Sequence, residues 1–400
     1  MVTLAPGDGR STAAPVKRDA EWWVDTIDSV AEIDSLNASW DDLAWHAIEP
    51  NPFYESWMLS AAWRTFAAND DLRLVLVRRN GARPQDPPEL CGLIPLWRRK
   101  HEKLPTDCWA LWQNDYICNC TPLLRQGVAV EAWRTFCAWL QRQSLSLCEL
   151  PLVNADGPFQ HTLLEVANDR RTPIHIDHQY SRALLRPADS ADAYCAQTMT
   201  CHNRQELRRQ RRRLGERGKL EVRVSRPEED IAPWIDEFAR LEAAGWKGRE
   251  GTAFAAQEND AAYLREIITA GHARQQVVLL GLFLDDRAMA MKLNFLAGEG
   301  GFTFKIAFDE EFKKFSPGVQ LELENIDWFH TQRGLSWLDS CARPDHFMIG
   351  RLWKDRRLMQ RLVMSTGSRW GDLLVGGLAF AKACKSALRS RNTTDTSTSR

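Results

Sequence analysis

One stretch, Gly301 to Asp345, limits the choice of fold more than any other, because it reads as strand, glycine-containing turn, helix and strand. Phe302 to Phe308 sets apolar against polar residues at the two-residue period of a half-buried strand. A charged loop leads to Phe315-Ser316-Pro317-Gly318. Ser316 suits a helix N-cap, its hydroxyl accepting from a first-turn amide. Pro317 suits the first helical position, where no amide hydrogen is needed. The helix is expected to run to Arg333, burying Val319, Leu323, Ile326 and His330 at steps of four, three and four. Gly334 ends it, and Leu335 to Leu338 reads as a short strand closing on Asp339. A helix start of this kind offers unpaired amides and a positive dipole end to an anion such as a phosphate. Lys313 and Lys314 would add charge just before it. The same letters also fit a capped helix that holds no ligand.

Length and composition narrow what can surround this unit. The chain has 400 residues, and single cores seldom grow past roughly 250–300 residues, so two domains are expected. A net charge of −1 excludes a molecule that attracts nucleic acid through its overall charge. The ten cysteines are scattered, with no pair at zinc-site spacing, so no metal is expected. No run approaches the ~18–20 apolar residues of a membrane span, and the first twenty residues lack a signal-like apolar core. A cytoplasmic protein with reduced thiols is the expectation.

Taken in order, residues 1–20 read as a disordered arm. Helices are expected at Leu36–Ile48 and Phe53–Phe66, and an apolar hairpin at Leu72–Arg78 and Leu90–Trp97. Weaker strands at Trp109–Gln113 and Cys120–Leu124 precede a helix marked by Ala129, Trp133, Phe136 and Leu140. Leu145–Leu152 returns as a strand, Phe159–Ala167 as a helix and Ile174–Leu185 as extended chain. Tyr194 to Arg217 reads as one long polar helix. Its segment Asn203–Lys219 carries eight basic residues, which fit either a phosphate or RNA contact or a solvated helix across a domain join. After a strand at Leu220–Val224, a helix opening at Pro227 runs into Leu241-Glu242 and breaks at Gly245-Trp246-Lys247-Gly248. A second hairpin, Val277–Leu284 with Ala288–Leu296, precedes the Gly301 stretch. A strand at Met359–Met364 and a helix at Leu373–Leu388 follow it.

The two halves run through one order of elements: helices, apolar hairpin, strand, loop, helix, strand. The helix from Ala129 corresponds to the one from Pro317, and the strand at Cys148 to the one at Trp337. The fold class expected is α/β (α+β), with two tandem domains, each a mostly antiparallel mixed sheet flanked by helices. The boundaries expected are 21–190 and 191–370, with 371–400 a terminal helix and disordered tail.

This order resembles the GNAT acyltransferases, and more closely the BioF2-like, CelD/BcsL-type acetyltransferases related to the FemAB peptidyl transferases, which have tandem GNAT-like domains. The likeness rests on the Arg-rich helix, on Leu241-Glu242…Gly245-Trp246-Lys247-Gly248, on Phe308…Phe315-Ser316-Pro317-Gly318…Leu321, and on Asp339…Arg351-Leu352-Trp353. It covers about Arg204 to Trp353, and the first half matches in architecture alone. It implies acetyl-CoA or another acyl-CoA as co-substrate, its pyrophosphate on the amides of Gly318, Val319 and Gln320 with Lys313, Lys314 and Ser316 beside them. The glycine-rich R/Q-x-x-G-x-G/A loop usual in GNAT proteins is absent here. FemAB relatives take aminoacyl-tRNA on the same fold.

Acyl transfer needs a deprotonated amine or hydroxyl, a polarised carbonyl and a proton for the leaving thiolate. Asp339, at a strand end, is the expected general base or acceptor orienter, and equally fits a turn-forming Asp. His346 would relay a proton near neutral pH, or be a surface histidine. Cys341 with His346 and Asp339 hints at a thiol nucleophile, a weaker reading. Glu242 falls on the buried side of its helix, where a carboxylate needs a partner or a task. Lys305, mid-strand, would polarise the carbonyl or face solvent, and Trp246 and Lys247 would wall and charge the acceptor site. The function expected is an N- or O-acetyltransferase acting on a sugar, a polysaccharide precursor or a small amine. The alternatives are an aminoacyl-tRNA-dependent peptidyl transferase, with tRNA as partner, and a catalytically dead scaffold.

Overall fold

In the computed structural model, residues 21–67, 71–81, 83, 85–245, 257–346 and 348–395 are described. The expected arm (1–20), Trp246 and Lys247, and the last five residues lie outside them. In the first half the chain runs through β1 (Trp22–Ile27), α1 (Asn37–Trp45), α2 (Ser56–Phe66), β2 (Leu72–Arg79), β3 (Glu89–Lys100), β4 (Asp107–Leu111) and β5 (Leu123–Leu124). It continues through α3 (Ala129–Gln141), β6 (Leu147–Asn154), α4 (Pro158–Asp169) and β7 (Ile174–Leu185). Two helices link the halves, α5 (Ala191–Thr198) and α6 (Cys201–Gly215). The second half follows with β8 (Leu220–Val224), α7 (Ala232–Ala244), α8 (Glu258–Ala273), β9 (Val277–Leu284), β10 (Arg287–Ala297) and β11 (Gly300–Phe308). It ends with α9 (Pro317–Thr331), β12 (Trp337–Asp339), α10 (Ile349–Leu352), β13 (Asp355–Ser365) and α11 (Arg369–Asp395).

The strands form one mixed, mostly antiparallel sheet in the order β1-β2-β3-β4-β6-β13-β7-β12-β11-β10-β9-β8, with β5 beside β3. The path reads alike from either end. An antiparallel meander (β1 to β4, or β8 to β11) meets one parallel neighbour (β6, or β12) across a helical crossover (α3, or α9). At the centre the halves trade strands. β7, which follows β6 in the chain, pairs with β12 of the other half, and β13, which follows β12, pairs with β6. β7 and β13 pair with each other from Leu184↔Asp355 to Ile174↔Met364. A cut at 190/191 therefore does not divide the sheet into two closed pieces. One apolar core also runs across both halves, where the ring of Phe53 meets Phe302 and Phe295 edge-on at 5.6 and 6.3 Å.

Local deviations from the expected elements have local causes. The polar helix expected at 194–217 is two helices, because Thr200 leaves helical geometry (ψ 153°) and its hydroxyl accepts from the Asn203 amide. β1 was not anticipated; it is an edge strand pairing with β2 alone. On α9 the face turned inward is not the apolar ladder of the sequence reading. Of that ladder Ile326 is buried, with Leu321, Glu322, Asn325 and Phe329, while Val319, Leu323 and His330 are half-buried, the first two against a small cluster with α5 and α10.

Candidate active site

The parallel strands β11 and β12 touch only over Gly300–Phe302 and Trp337–Asp339. β12 then stops while β11 continues to Phe308, so the sheet splits beside the start of α9. β11 also carries a bulge: Leu293 of β10 faces Lys305 and Asn294 faces Thr303, so Phe304 is one residue extra. Paired residues of an antiparallel ladder share a face. The bulge therefore puts Lys305 beside Phe304 on the face that Leu293 turns to α7.

Lys305 there meets Glu242 at 3.4 Å (Nζ to Oε1), the carboxylate being fully buried on α7. The ammonium also stands 5.5 Å from the Tyr116 ring centre, on the loop after β4. Burial first, and a hydrogen bond with Asp260 second, hold the Tyr116 phenol well above its ordinary pKa, so it stays protonated. The same face carries Cys118 and Cys341, hydrogen-bonded through their thiols. Contact with Cys341 draws the Cys118 thiol down against its burial, with Arg182 and Lys305 assisting, whereas burial pushes Cys341 well up.

Asp339 lies at the split but is not arranged as a base. Arg182 places Nε 2.6 Å from one carboxylate oxygen and donates from Nη2 to the other at 2.7 Å. Arg357 donates at 2.8 Å and the Cys341 amide at 2.9 Å. Burial pushes the carboxyl up, but the two guanidiniums outweigh it and hold Asp339 below the usual carboxylate range. An oxygen pair so occupied is a weak proton acceptor. Arg182 also donates to the Cys118 carbonyl at 2.7 Å, so this ion pair ties the loop after β4 to the loop after β12. The triad read into Cys341, His346 and Asp339 is not assembled in this form, since the thiol bonds Cys118 and the carboxylate bonds arginines. His346 accepts from the Ile349 amide at 3.4 Å; burial of its ring lowers its pKa, and its charged neighbours include Lys292, Glu322 and Asp345.

At the start of α9, Ser316 has left-handed backbone angles (φ 53°, ψ 49°) and makes no side-chain cap. The expected cap fails because the residue instead closes the preceding 3-10 turn, its amide donating to Lys313 at 3.0 Å. The Gln320 amide donates to the Ser316 carbonyl at 2.9 Å and the Gln320 side chain to Leu207 of α6 at 2.8 Å. Gln320 thus tethers two helices, and Gly318 and Val319 hold the amides ahead of that first helical bond. Lys313 and Lys314 are exposed, with the Lys314 ammonium 5.2 Å from the Phe315 ring. Beside this turn a groove of about 310 Å³ runs between α5, α6 and α9, lined in part by Arg204, Arg208, Arg211 and Gln320.

Behind the split, on the α9 face, lies a group that sequence reading missed. Lys292 and Glu322 form an ion pair at 2.5 Å with side chains 1% and 0% exposed. Trp353 and Asn325 donate to the same carboxylate at 3.0 and 3.1 Å, and Asn294 donates to Asn325 at 2.7 Å. A lysine amid the hydrophobic letters of β10 was the available signal.

Among the described residues, no group of His, Cys, Asp or Glu is arranged to hold a metal, and no helix is long and apolar enough to cross a membrane. The fold is of the GNAT type. Residues 202–347 match the family described as an acetyltransferase (GNAT) domain. Among solved structures the chain is similar to FemX, at 12% identity and TM-score 0.54 over 82% of this chain and 95% of that one. It is also similar to a conserved protein of unknown function from Bacteroides thetaiotaomicron VPI-5482, at 12% identity and TM-score 0.52 over 86% and 99%. Both likenesses are of fold. A search of curated proteins finds no match.

Proposed function

We propose that the chain moves an acyl group from a CoA thioester directly to an amine or hydroxyl acceptor at the split between β11 and β12. The observation that carries this is the Lys305–Glu242 contact, set by the Phe304 bulge on the α7 face of β11 beyond the point where β12 stops. Glu242 takes the acceptor's proton as it attacks, and gives it to the CoA sulfur as the carbon–sulfur bond breaks. The Lys305 ammonium holds that carboxylate in place and steadies negative charge gathering on the carbonyl oxygen. Asp339 shapes the site through Arg182 and is not the base.

Donor phosphates are held by the amides of Gly318 and Val319 and by Arg204 and Arg208 in the adjoining groove. Gly318 supports this assignment. An added Cβ would stand 3.4 Å from Phe308, an ordinary contact, so packing does not demand glycine there. Glycine in a helix is also less favourable than alanine by about 1 kcal/mol. Close approach of a ligand to the backbone accounts for it.

Aminoacyl-tRNA as donor is the less favoured reading, because much of α6's charge is spent internally. Arg209 pairs with Glu206, Arg211 with Glu324 and Arg212 with Glu216. The test is thiol release from acetyl-CoA across a panel of amines and saccharides, with calorimetric titration of CoA. Glu242→Gln should lower kcat by about 10²–10⁴-fold while CoA affinity stays within twofold. No CoA binding, or full turnover in Glu242→Gln, would overturn the proposal.

A further inference from the structure

A second cavity, of about 450 Å³, opens at the far end of the sheet from the split, where the β10–β11 turn meets α1 and the end of α8. Its volume falls within the roughly 300–1,000 Å³ typical of small-ligand sites. Trp45, the last residue of α1, stands on its lip with 81% of its surface exposed. Tryptophan, apolar in body and polar at its N–H, is enriched at binding surfaces. Glu55 lines the interior and is itself 6% exposed. The Trp57 indole donates to Glu55 at 2.9 Å and Gln276 at 2.6 Å, both to Oε2, which leaves Oε1 to the cavity. Arg274 and Asp41 face each other at 3.1 Å on the same wall, and Leu296 and Leu335 give apolar floor. Burial lifts the Glu55 carboxyl to about 7, as befits a group poised to meet a hydroxyl or ammonium hydrogen.

The lining selects a chemical class. Among the described lining residues Arg274 is already paired with Asp41, which disfavours an anion. A wholly apolar ligand would strand the Glu55 oxygen. A pyranose ring satisfies both sides: its C–H face lies on an indole, and its edge hydroxyls donate to carboxylates and accept from guanidinium N–H. We infer that this cavity binds a saccharide unit, the ring stacked on Trp45 and its hydroxyl or amino edge held by Glu55, Asp41 and Arg274. The site is separate from the transferase cleft, and the inference does not rest on the proposed reaction.

Saturation-transfer NMR on the full chain, with cellotetraose, tetra-N-acetylchitotetraose and its deacetylated form as probes, tests it. At least one probe should receive saturation. Its affinity should fall tenfold or more in Trp45→Ala and in Glu55→Gln, both checked for native circular dichroism, and stay unchanged in Lys305→Met. Preference for the free amine would assign the Glu55 side to an ammonium, and equal binding of all three to hydroxyls. No transfer from any probe, full binding by Trp45→Ala, or loss of binding in Lys305→Met would overturn the inference.

Discussion

Replacing Asp339 by asparagine separates a structural clamp from a catalytic base. The side chain keeps its shape, but two guanidiniums at 2.6–2.8 Å lose their counter-charge, and Arg182 is almost wholly buried. Removing one partner of a buried pair typically costs about 3–5 kcal/mol, because the remaining charge stays out of water. For a chain of 400 residues that is a fall in Tm of about 4–6 °C. The folded carboxyl titrates below its unfolded value of about 3.9, so its contribution is full above that pH and fades as pH drops through the folded pKa. The gap between wild type and Asp339→Asn should therefore be flat from pH 6 to 8 and close below about pH 4. Arg182→Met should lose a similar amount. The double variant should lose less than the sum, with a coupling of about 1–3 kcal/mol. Urea unfolding at a series of pH values reads all of this. An Asp339→Asn protein with unchanged unfolding midpoint and abolished turnover would refute the clamp and restore Asp339 as the chemical base.

Two further outcomes follow from the titration of Glu55 and the backbone of Ser316. A carboxyl raised to about 7 binds its proton more tightly in the folded state, so wild-type stability falls as pH climbs from about 4.5 to 7. Glu55→Gln should remove that slope, worth about 3 kcal/mol at pH 8 relative to pH 5, and parallel slopes in chemical denaturation would contradict it. Ser316→Gly relieves a left-handed residue and should stabilise by about 0.5–1 kcal/mol. Ser316→Asp should also favour the helix, by about 0.3–1 kcal/mol, yet weaken CoA binding tenfold or more, and unchanged CoA affinity would argue against phosphate at this turn.

What the sequence made legible is what short-range physics decides. The hairpins Val277–Leu284 and Leu72–Arg79 with their partners follow from apolar runs broken by turn residues, and the bounds of β7 matched the reading. The strand–turn–helix–strand order around Ser316 and its echo near Ala129 gave the repeat. What stayed hidden depends on distant partners. Asp339 looks like a free strand-end carboxylate until Arg182, 157 residues earlier, is seen to hold it. Lys292 and Glu322 stayed unassigned, because residues of their kind are rarely buried unless paired. The Phe304 bulge leaves no mark in composition, since one extra residue in a strand only shifts which face the next residues take. Glu242 was legible because its helical phase set it beside Leu241, but its partner was fixed only by that bulge.

The trade of central strands also bears on how the protein is made. When Leu185 leaves the ribosome, both β6 and β7 still lack the strand that will lie between them, and about 170 residues must follow before Asp355 begins to supply it. At ~5–20 residues per second this is a wait of roughly 10–30 s. During it, one edge of β6 and both edges of β7 are open to any passing strand. Products cut short anywhere in that interval should clump or be captured by chaperones, so synthesis to residue 365 is a condition for either half to close.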